Sequence, residues 1–164
     1  MAFVFRGPTD NDIPFISNSW LESMRDYGFF SKGVPNTTYY HYQKNLIKSL
    51  CSTGSVLIMH LDTEPDIIIG WACFEVFENA IVLHYVYTKR NIHRPDGSKQ
   101  SLRRKGVAKA LVEYIKAMEG KDNIVYTHLT KQVYAFKKKL TAAGWLYNPY
   151  VMFASLPKGW DVGS

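Results

Sequence analysis

The sequence predicts a single mixed domain over residues 1–164, of the α/β or α+β class, in which about four helices flank a mostly antiparallel central sheet. Three observations support this prediction. A length of 164 residues suits one domain with a substantial core. Apolar residues make up 46% of the chain and aromatic residues 15%, as in globular proteins. Segments with strand-like and helix-like periodicity follow one another in the order β-α-α-β-β-β-α-β-α-β-β.

The amino-terminal region predicts one strand and two helices. Phe3 and Phe5 alternate with their neighbours, which is typical of a short strand. Apolar residues then recur at spacings of three and four, as on one face of a helix. The residues of this face are Ile13, Ile16, Trp20, Leu21 and Met24. A second helix is predicted to begin near Asn36, after a stretch that contains two glycines and a proline.

The central region predicts three strands and a helix. The extended segments are Ser55–Leu61, Ile67–Phe77 and Ala80–Thr88. Short polar connections join them, so neighbouring strands are expected to run antiparallel. The polar segment Lys89–Ser101 is predicted to be a long loop. The helix after it has an apolar face made of Val107, Leu111, Tyr114, Ile115 and Met118.

The carboxyl-terminal region predicts a strand at Ile124–His128 and a helix at Gln132–Ala142, which ends at Gly144. A closing pair of strands is expected at Trp145–Tyr147 and Tyr150–Leu156. These closing strands could pair across a homodimer, so a dimer is a further expectation.

Composition and charge exclude several classes of protein. The 20 basic and 14 acidic residues give a net charge of +6, which favours polyanions, including phosphate-bearing nucleotides. Neither a signal-peptide pattern nor a long apolar run occurs, so no membrane segment is expected and a cytoplasmic location is predicted. Cys51 and Cys73 lie in apolar settings and are expected to be buried thiols. No metal site is expected because the histidines are widely spaced in the sequence. They are His41, His60, His84, His93 and His128.

The segment Arg103–Ala108 is suited to binding phosphate. It opens the third predicted helix, and a helix start presents unpaired backbone N–H groups at the positive end of the helix dipole. Gly106 and Ala108 have little side-chain bulk, so an anion could approach these amides closely. The cations at positions 103–105 oppose the dipole unless an anion binds there. The segment therefore predicts a diphosphate site.

The pattern Arg103-x-x-Gly106-x-Ala108 resembles the pyrophosphate-binding signature of the GNAT superfamily of N-acetyltransferases, (Gln/Arg)-x-x-Gly-x-(Gly/Ala). It follows the fourth predicted strand, as in that superfamily, and the order of elements is similar over nearly the whole chain. The resemblance implies acetyl-CoA as cofactor and direct transfer of acetyl to a primary amine of a small molecule or protein. The segment Ile16–Leu21 also resembles the first helix of GNAT domains carried by tailed bacteriophages.

The resemblance further implies which residues bind acetyl-CoA. The pyrophosphate would contact the backbone of Arg103, Arg104, Lys105, Gly106, Val107 and Ala108. The pantetheine arm would pair with the backbone of Tyr85, Val86 and Tyr87. Gln132, which begins the fourth predicted helix, is also expected at the cofactor. The fourth strand and the strand at Ile124–His128 are expected to splay apart and form a slot for the thioester.

The candidates for proton transfer are His84 and Tyr134. The general-acid tyrosine of the family has no match in the fourth predicted helix, and Tyr134 is the nearest phenol. His84 lies on the fourth strand, and an imidazole can accept protons near neutral pH. The alternatives are a His84 that makes only an ordinary hydrogen bond, Glu75 or Glu78 acting through water, and catalysis by proximity alone.

The acceptor amine is expected to bind between the first two helices and near the closing strands. Phe29 and Phe30 adjoin glycines in a predicted loop and are candidates for a substrate lip. Tyr150 is a third candidate substrate contact. The acceptor itself stays open among a small amine, an antibiotic, a protein N-terminus and a lysine side chain.

Two other interpretations remain. A nucleic-acid-binding domain would use the cations as a basic face, although the aromatic residues mostly fall on predicted core faces and no RNA-binding signature occurs. A GNAT-like domain that has lost catalysis and acts by protein contact would explain the missing tyrosine.

Overall fold

The computed structural model describes residues 2–28 and 33–151. Its strands are β1 (Phe3–Arg6), β2 (Ser55–Leu61), β3 (Glu64–Phe77), β4 (Ala80–Thr88), β5 (Asn91–His93), β6 (Lys99–Ser101), β7 (Ile124–Tyr126) and β8 (Leu146–Tyr147). Its helices are α1 (Ile13–Tyr27), α2 (Asn36–Thr53), α3 (Val107–Glu119), α4 (Lys131–Ala135) and α5 (Lys137–Ala142), with a 3-10 turn at Asp10–Asp12. None of the helices in the described ranges is long and apolar enough to cross a membrane.

Six of these strands form one mixed sheet in the order β1-β2-β3-β4-β7-β8. The pairs from β1 to β4 are antiparallel, and β7 is parallel to both β4 and β8. The mostly antiparallel sheet predicted from the short polar connections is thereby confirmed.

The two faces of the sheet carry separate apolar layers. One layer packs against α3 and includes Met59, Leu111 and Ile115. The other packs against α1 and α2 and includes Trp20 and Trp71, whose ring centroids are 5.4 Å apart. Burial of these large side chains supplies most of the driving force for packing helices on both faces.

A carboxylate fixes the junction between β1 and α1. Asp12 accepts hydrogen bonds from the Arg6 guanidinium at 2.7 Å and from the Thr9 backbone N–H at 2.7 Å. These bonds, chiefly that from Arg6, hold the pKa of Asp12 well below its usual range. Because α1 forms one wall of the site described below, this junction sets the position of that wall.

The segment predicted as a long loop, Lys89–Ser101, contains the antiparallel hairpin β5–β6. The Arg94 guanidinium donates to the Glu64 carboxylate at 2.9 Å and to Gln100 at 2.7 Å. The hairpin is therefore tied to the start of β3. Its strands are three residues each and mostly polar, so their periodicity was too short to predict.

The carboxyl-terminal prediction is partly wrong. The helix predicted at Gln132–Ala142 is two short helices that meet at Phe136. The first closing strand is confirmed at Leu146–Tyr147, but it runs parallel to β7. The second is wrong at Tyr150, because the Asn148 side chain accepts from the Tyr150 N–H at 3.0 Å and forms a turn there. The rest of that prediction, at 152–156, lies outside the described residues.

Candidate active site

β4 and β7 run side by side only at their beginnings. Leu83 is paired with Tyr126, and the Thr127 N–H donates to the Leu83 carbonyl at 3.1 Å. β4 then continues to Thr88, whereas β7 ends at Tyr126. The two strands separate beyond this point, and the slot that the resemblance implied lies between them.

The free edge of β4 presents backbone hydrogen-bonding groups to this slot. Lys89 donates its backbone N–H to Ile69 on β3 at 2.8 Å. Because the hydrogen-bonding direction alternates along a strand, Tyr87 also faces β3, and Val86 and Thr88 direct their N–H and C=O groups into the slot. Of the segment 85–87 that the resemblance singled out, Val86 therefore offers the backbone groups.

A β-bulge in β4 places two polar side chains on the same face. Cys73 pairs with Tyr85 and Phe74 pairs with Leu83, so His84 has no partner on β3. His84 and Tyr85 consequently both lie on the face covered by α1 and α2, where a regular strand would alternate. The bulge lies directly beside the point where β4 and β7 part.

The slot opens into a cleft of about 1000 Å³. Helix α1, β4, the start of α3 and the segment after β7 all contribute to its walls. The residues used below are Glu22, Asp26, Val86, Ala108, His128 and Gln132. Gln132, predicted at the cofactor, therefore lies in the same cleft as the free edge of β4.

The loop before α3 has an unusual backbone. Gly106 caps the helix with φ 72°, in the left-handed region that glycine tolerates best. Arg104 also has a positive φ of 58°, which is costly for a residue with a side chain. The cations Arg103, Arg104 and Lys105 are exposed, and Ala108 in the first helical turn lines the cleft. Left-handed residues in such a loop turn successive N–H groups toward one anion.

Aromatic side chains fix the wall between β4 and α1. Tyr85 stacks on Trp20 with centroids 5.0 Å apart, and its hydroxyl is hydrogen-bonded to Ser23 at 2.8 Å. Burial raises the pKa of Tyr85 to about 12, so the phenol is protonated at neutral pH. Tyr87 stacks on Trp71 at 5.9 Å. These rings hold β4 against α1 while its backbone stays accessible.

His84 is buried, with both ring nitrogens in contact with polar groups. Nε2 lies 2.8 Å from Glu75 Oε2, and Nδ1 lies 3.2 Å from Thr127 Oγ1. Burial lowers the pKa of His84, and the nearby Glu75 carboxylate opposes that shift. His84 is among the residues that line the cleft, but none of its side-chain surface is exposed, so its ring can reach an acceptor amine only through another group.

His128 is the candidate that the sequence did not single out. It lines the cleft, and its ring packs edge-on against Trp20 at 5.7 Å and Tyr85 at 5.9 Å. Burial, and to a smaller extent the neighbouring His84 ring, lower the pKa of His128, the His84 backbone carbonyl opposes the shift, and the resulting pKa is about 4. The available signal was its position at the carboxyl end of a predicted strand, beside the expected slot.

The remaining predicted residues lie elsewhere. Tyr134 is 55% exposed and is not among the described residues that line the cleft. Tyr150 is 77% exposed, beyond β8, and is likewise not a lining residue within the described ranges. Phe29 and Phe30 lie outside the described residues. The roles assigned to these four residues stay predictions.

The charges around the cleft are not uniformly basic. Glu22 and Asp26, one turn apart on α1, place exposed carboxylates on its wall. Beyond the end of β4, the Arg90 guanidinium lies 5.0 Å from the centre of the ring of Tyr27, the last residue of α1. The cleft therefore has an acidic wall on α1, and basic groups lie after the end of β4 and at the start of α3.

Comparison with known proteins identifies the fold. PaiA N-acetyltransferase from Thermoplasma acidophilum, in complex with coenzyme A, is similar with a TM-score of 0.54 and 16% identity over 85% of this chain and 88% of that one. A protein assigned to the GNAT family from Desulfovibrio desulfuricans gives 0.51 and 15%, over 87% and 84%. Ribosomal-protein-alanine N-acetyltransferase from Brucella melitensis gives 0.50 and 15%, over 98% and 96%. The chain has the GNAT fold.

The likeness to GNAT structures is one of shape rather than of sequence. No protein-family model matches the chain, and no curated protein matches it in sequence. None of these three structures comes from a bacteriophage, so the phage resemblance of the first helix finds no support. The activity must therefore be argued from the cleft itself.

Proposed function

We propose that the chain is an acetyl-CoA-dependent N-acetyltransferase that transfers acetyl directly to a primary amine of a small molecule or protein. The observation that carries this proposal is the parting of β4 from β7 beside the free backbone groups of Val86 and Thr88. An extended amide-bearing arm can add to such an edge as another strand would. The pantetheine arm of acetyl-CoA has this form.

The start of α3 supports the same ligand. The N–H groups of the loop 103–106 and of the first helical turn would bind the pyrophosphate, with Arg103, Arg104 and Lys105 neutralising its charge. The left-handed conformation of Arg104 is a strain that anion binding would offset. The Thermoplasma protein of the same fold was crystallised with coenzyme A, which agrees with this assignment.

The acidic wall supports an amine as the second substrate. Glu22 and Asp26 face the cleft from α1, and carboxylates there attract the ammonium form of an amine. A polyanion other than the cofactor, which the overall charge of +6 also favours, would therefore have to approach a different part of the surface. Within the cleft, the charges favour a cationic acceptor.

Chemistry in the cleft requires little more than positioning and proton removal. Acetyl-CoA supplies an activated thioester, and holding an amine beside it removes much of the entropic barrier. The amine must lose its proton before it attacks, so a proton acceptor at the cleft surface accelerates the reaction.

The test is an acetylation assay with a panel of amines: spermidine, an aminoglycoside, a peptide with a free N-terminus and a peptide with an internal lysine. Isotope-labelled acetyl should appear on one amine, in an amount equal to the free coenzyme A formed, as measured by mass spectrometry. Acetyl-CoA binding without any acetylation would favour the inactive GNAT-like module. Salt-sensitive DNA binding without acetyl-CoA binding would favour the nucleic-acid-binding domain.

Three sequence expectations stay predictions: a single domain, a cytoplasmic location and a homodimer. β8 is the last strand of the six-stranded sheet, so a dimer through the closing strands would use that edge. Light scattering of the purified protein measures the oligomeric state directly.

A further inference from the structure

Four polar side chains form a series of contacts that runs from the cleft, past β4, to β3. Nδ1 of His128 is 3.0 Å from Oγ1 of Thr127. The same hydroxyl oxygen is 3.2 Å from Nδ1 of His84. Nε2 of His84 is 2.8 Å from Oε2 of Glu75. Thr127 and His84 are buried, while His128 lines the cleft and the Glu75 side chain keeps 14% of its surface exposed.

The Glu75 carboxylate determines which atom donates the proton in each of these hydrogen bonds. A carboxylate can only accept a hydrogen bond, so His84 carries its proton on Nε2 and its Nδ1 is unprotonated. The Thr127 hydroxyl then donates to that nitrogen and accepts from Nδ1–H of His128. In this arrangement Nε2 of His128 carries no proton and its ring lines the cleft, while the His84 backbone carbonyl is a second, competing acceptor for a ring N–H of His128.

We propose that His128 takes the proton from the acceptor amine and that Thr127 and His84 pass a proton on to Glu75. The inference rests on the proposed function. The ammonium gives its proton to Nε2 of His128, and the freed amine forms the C–N bond as the C–S bond breaks. The second amine proton goes to the departing thiolate sulfur. One proton per turnover thus leaves through Glu75 to water, and the balance closes with amide and coenzyme A thiol.

The relay solves a problem that burial creates for His128. Desolvation of the ring, which packs against Trp20 and Tyr85, and the neighbouring His84 disfavour an imidazolium and, against the opposing His84 backbone carbonyl, lower the pKa of His128 to about 4. An isolated ring there would hold an amine proton poorly. When Nδ1 releases a proton to Thr127 as Nε2 accepts one, the charge moves to Glu75, where the carboxylate neutralises it.

The bulge at His84 makes the relay geometrically feasible. In a regular strand the side chain next to Tyr85 would face α3, away from Glu75. The unpaired residue instead turns His84 toward the α1/α2 face, within reach of both Glu75 and Thr127. His128 is the catalytic residue in this account, and the other three act through it as positioning residues.

The first test reads the tautomers of His84 and His128 by long-range proton–nitrogen NMR, without any substrate. The wild type should show His84 protonated at Nε2 and His128 protonated at Nδ1. Thr127→Val keeps the shape but removes the hydroxyl, so His128 should lose its preference for Nδ1 while His84 keeps its own. Thr127→Ser should restore the wild-type pattern. A wild-type His128 protonated at Nε2, or one unaffected by Thr127→Val, overturns the relay.

The second test uses the amine that the wild type acetylates fastest in the panel above. Thr127→Val should lower kcat at least tenfold with the KM for acetyl-CoA unchanged, and Thr127→Ser should recover most of the loss. Glu75→Gln serves as a second break in the relay if Thr127→Val does not fold, and should lower kcat similarly. Full activity in these variants overturns the relay but leaves the proposed function unaffected. A wild type that acetylates no amine overturns the proposed function, whatever tautomers NMR shows.

Discussion

The two walls of the cleft present different groups to a ligand. The wall formed by β4 and the start of α3, the proposed cofactor wall, presents backbone groups of Val86 and Thr88 and exposed cations that precede α3. The other wall, called the side-chain wall here, presents exposed carboxylates on α1 and His128 after β7, and hydrogen bonds lead from His128 through Thr127 to the buried His84 and to Glu75. Backbone recognition tolerates many side chains, whereas the relay depends on the identity of each one.

The largest expected effect comes from proline in β4. Tyr87→Pro removes an N–H that faces β3 and a ring stacked on Trp71, so it should strongly destabilise the sheet. Val86→Pro removes an N–H that faces the slot, so stability should fall much less while the affinity for acetyl-CoA falls about tenfold. Chemical denaturation and calorimetry measure the two effects. Equal destabilisation by both substitutions would contradict the assigned strand directions.

The histidines of the side-chain wall make stability depend on pH. Burial lowers the pKa of His84 and lowers that of His128 to about 4. The unfolded chain therefore binds protons as the pH falls below about 6.5 while the folded chain does not, so stability decreases with falling pH. The slope is about 1.4 kcal/mol per pH unit for each histidine until its folded pKa is reached.

Replacing one histidine tests that pH dependence. His128→Gln should reduce the slope of the unfolding free energy against pH by about 1.4 kcal/mol per pH unit between about pH 6.5 and about pH 4. Urea denaturation at a series of pH values measures this slope. His41→Gln, on the exposed surface of α2, is the matched control and should leave the slope unchanged. A slope that is the same in both variants would show that His128 is not buried in its neutral form.

The acidic wall is expected to act on the acceptor alone. The double substitution Glu22→Gln and Asp26→Asn should raise the KM for a cationic amine about three- to tenfold and leave acetyl-CoA affinity unchanged. Glu78→Gln, at the exposed turn between β3 and β4, is the control. Steady-state kinetics at two salt concentrations would detect the effect, which should shrink as salt rises. An unchanged KM would mean that the amine enters elsewhere.

The smallest expected effect isolates backbone strain in the cofactor wall. Arg104→Gly relieves a positive φ of 58° and should raise the thermal stability of the free protein relative to Arg103→Gly, by up to about 1 kcal/mol. Both substitutions remove one cation, so both should weaken acetyl-CoA binding to a similar degree. Identical melting temperatures for the two variants would show that the strain at Arg104 costs nothing.

The cofactor wall was largely predictable from the sequence because its signals are local. The periodicity of α1 and α3 and the short turns of the β2–β4 meander predicted those elements and the antiparallel pairing. The motif at 103–108 is contiguous and directly precedes a helix with a strong apolar face. Its left-handed Arg104 could not be predicted, because arginine does not favour that conformation.

The side-chain wall was largely unpredictable because its contacts are distant in sequence. His84 is 43 residues from Thr127 and 9 from Glu75. Whether these side chains meet depends on one unpaired residue in β4, and a shift of one residue would turn His84 to the opposite face. The sequence suggested His84 and Glu75 separately as proton acceptors, but it could not show that His128 occupies the cleft.

The proposed binding of acetyl-CoA at the start of α3 is tested most directly by calorimetric titration of acetyl-CoA into the wild type, Ala108→Glu and Ala117→Glu. Both substitutions lie on exposed positions of α3, but only Ala108 lines the cleft at the start of the helix. A glutamate in the first turn favours the helix dipole, so lost binding could not be attributed to unfolding. We expect wild-type affinity for Ala117→Glu and a loss of at least about a hundredfold for Ala108→Glu, because like charges would meet there. Equal affinity in all three proteins, or no binding by the wild type, would contradict this proposal.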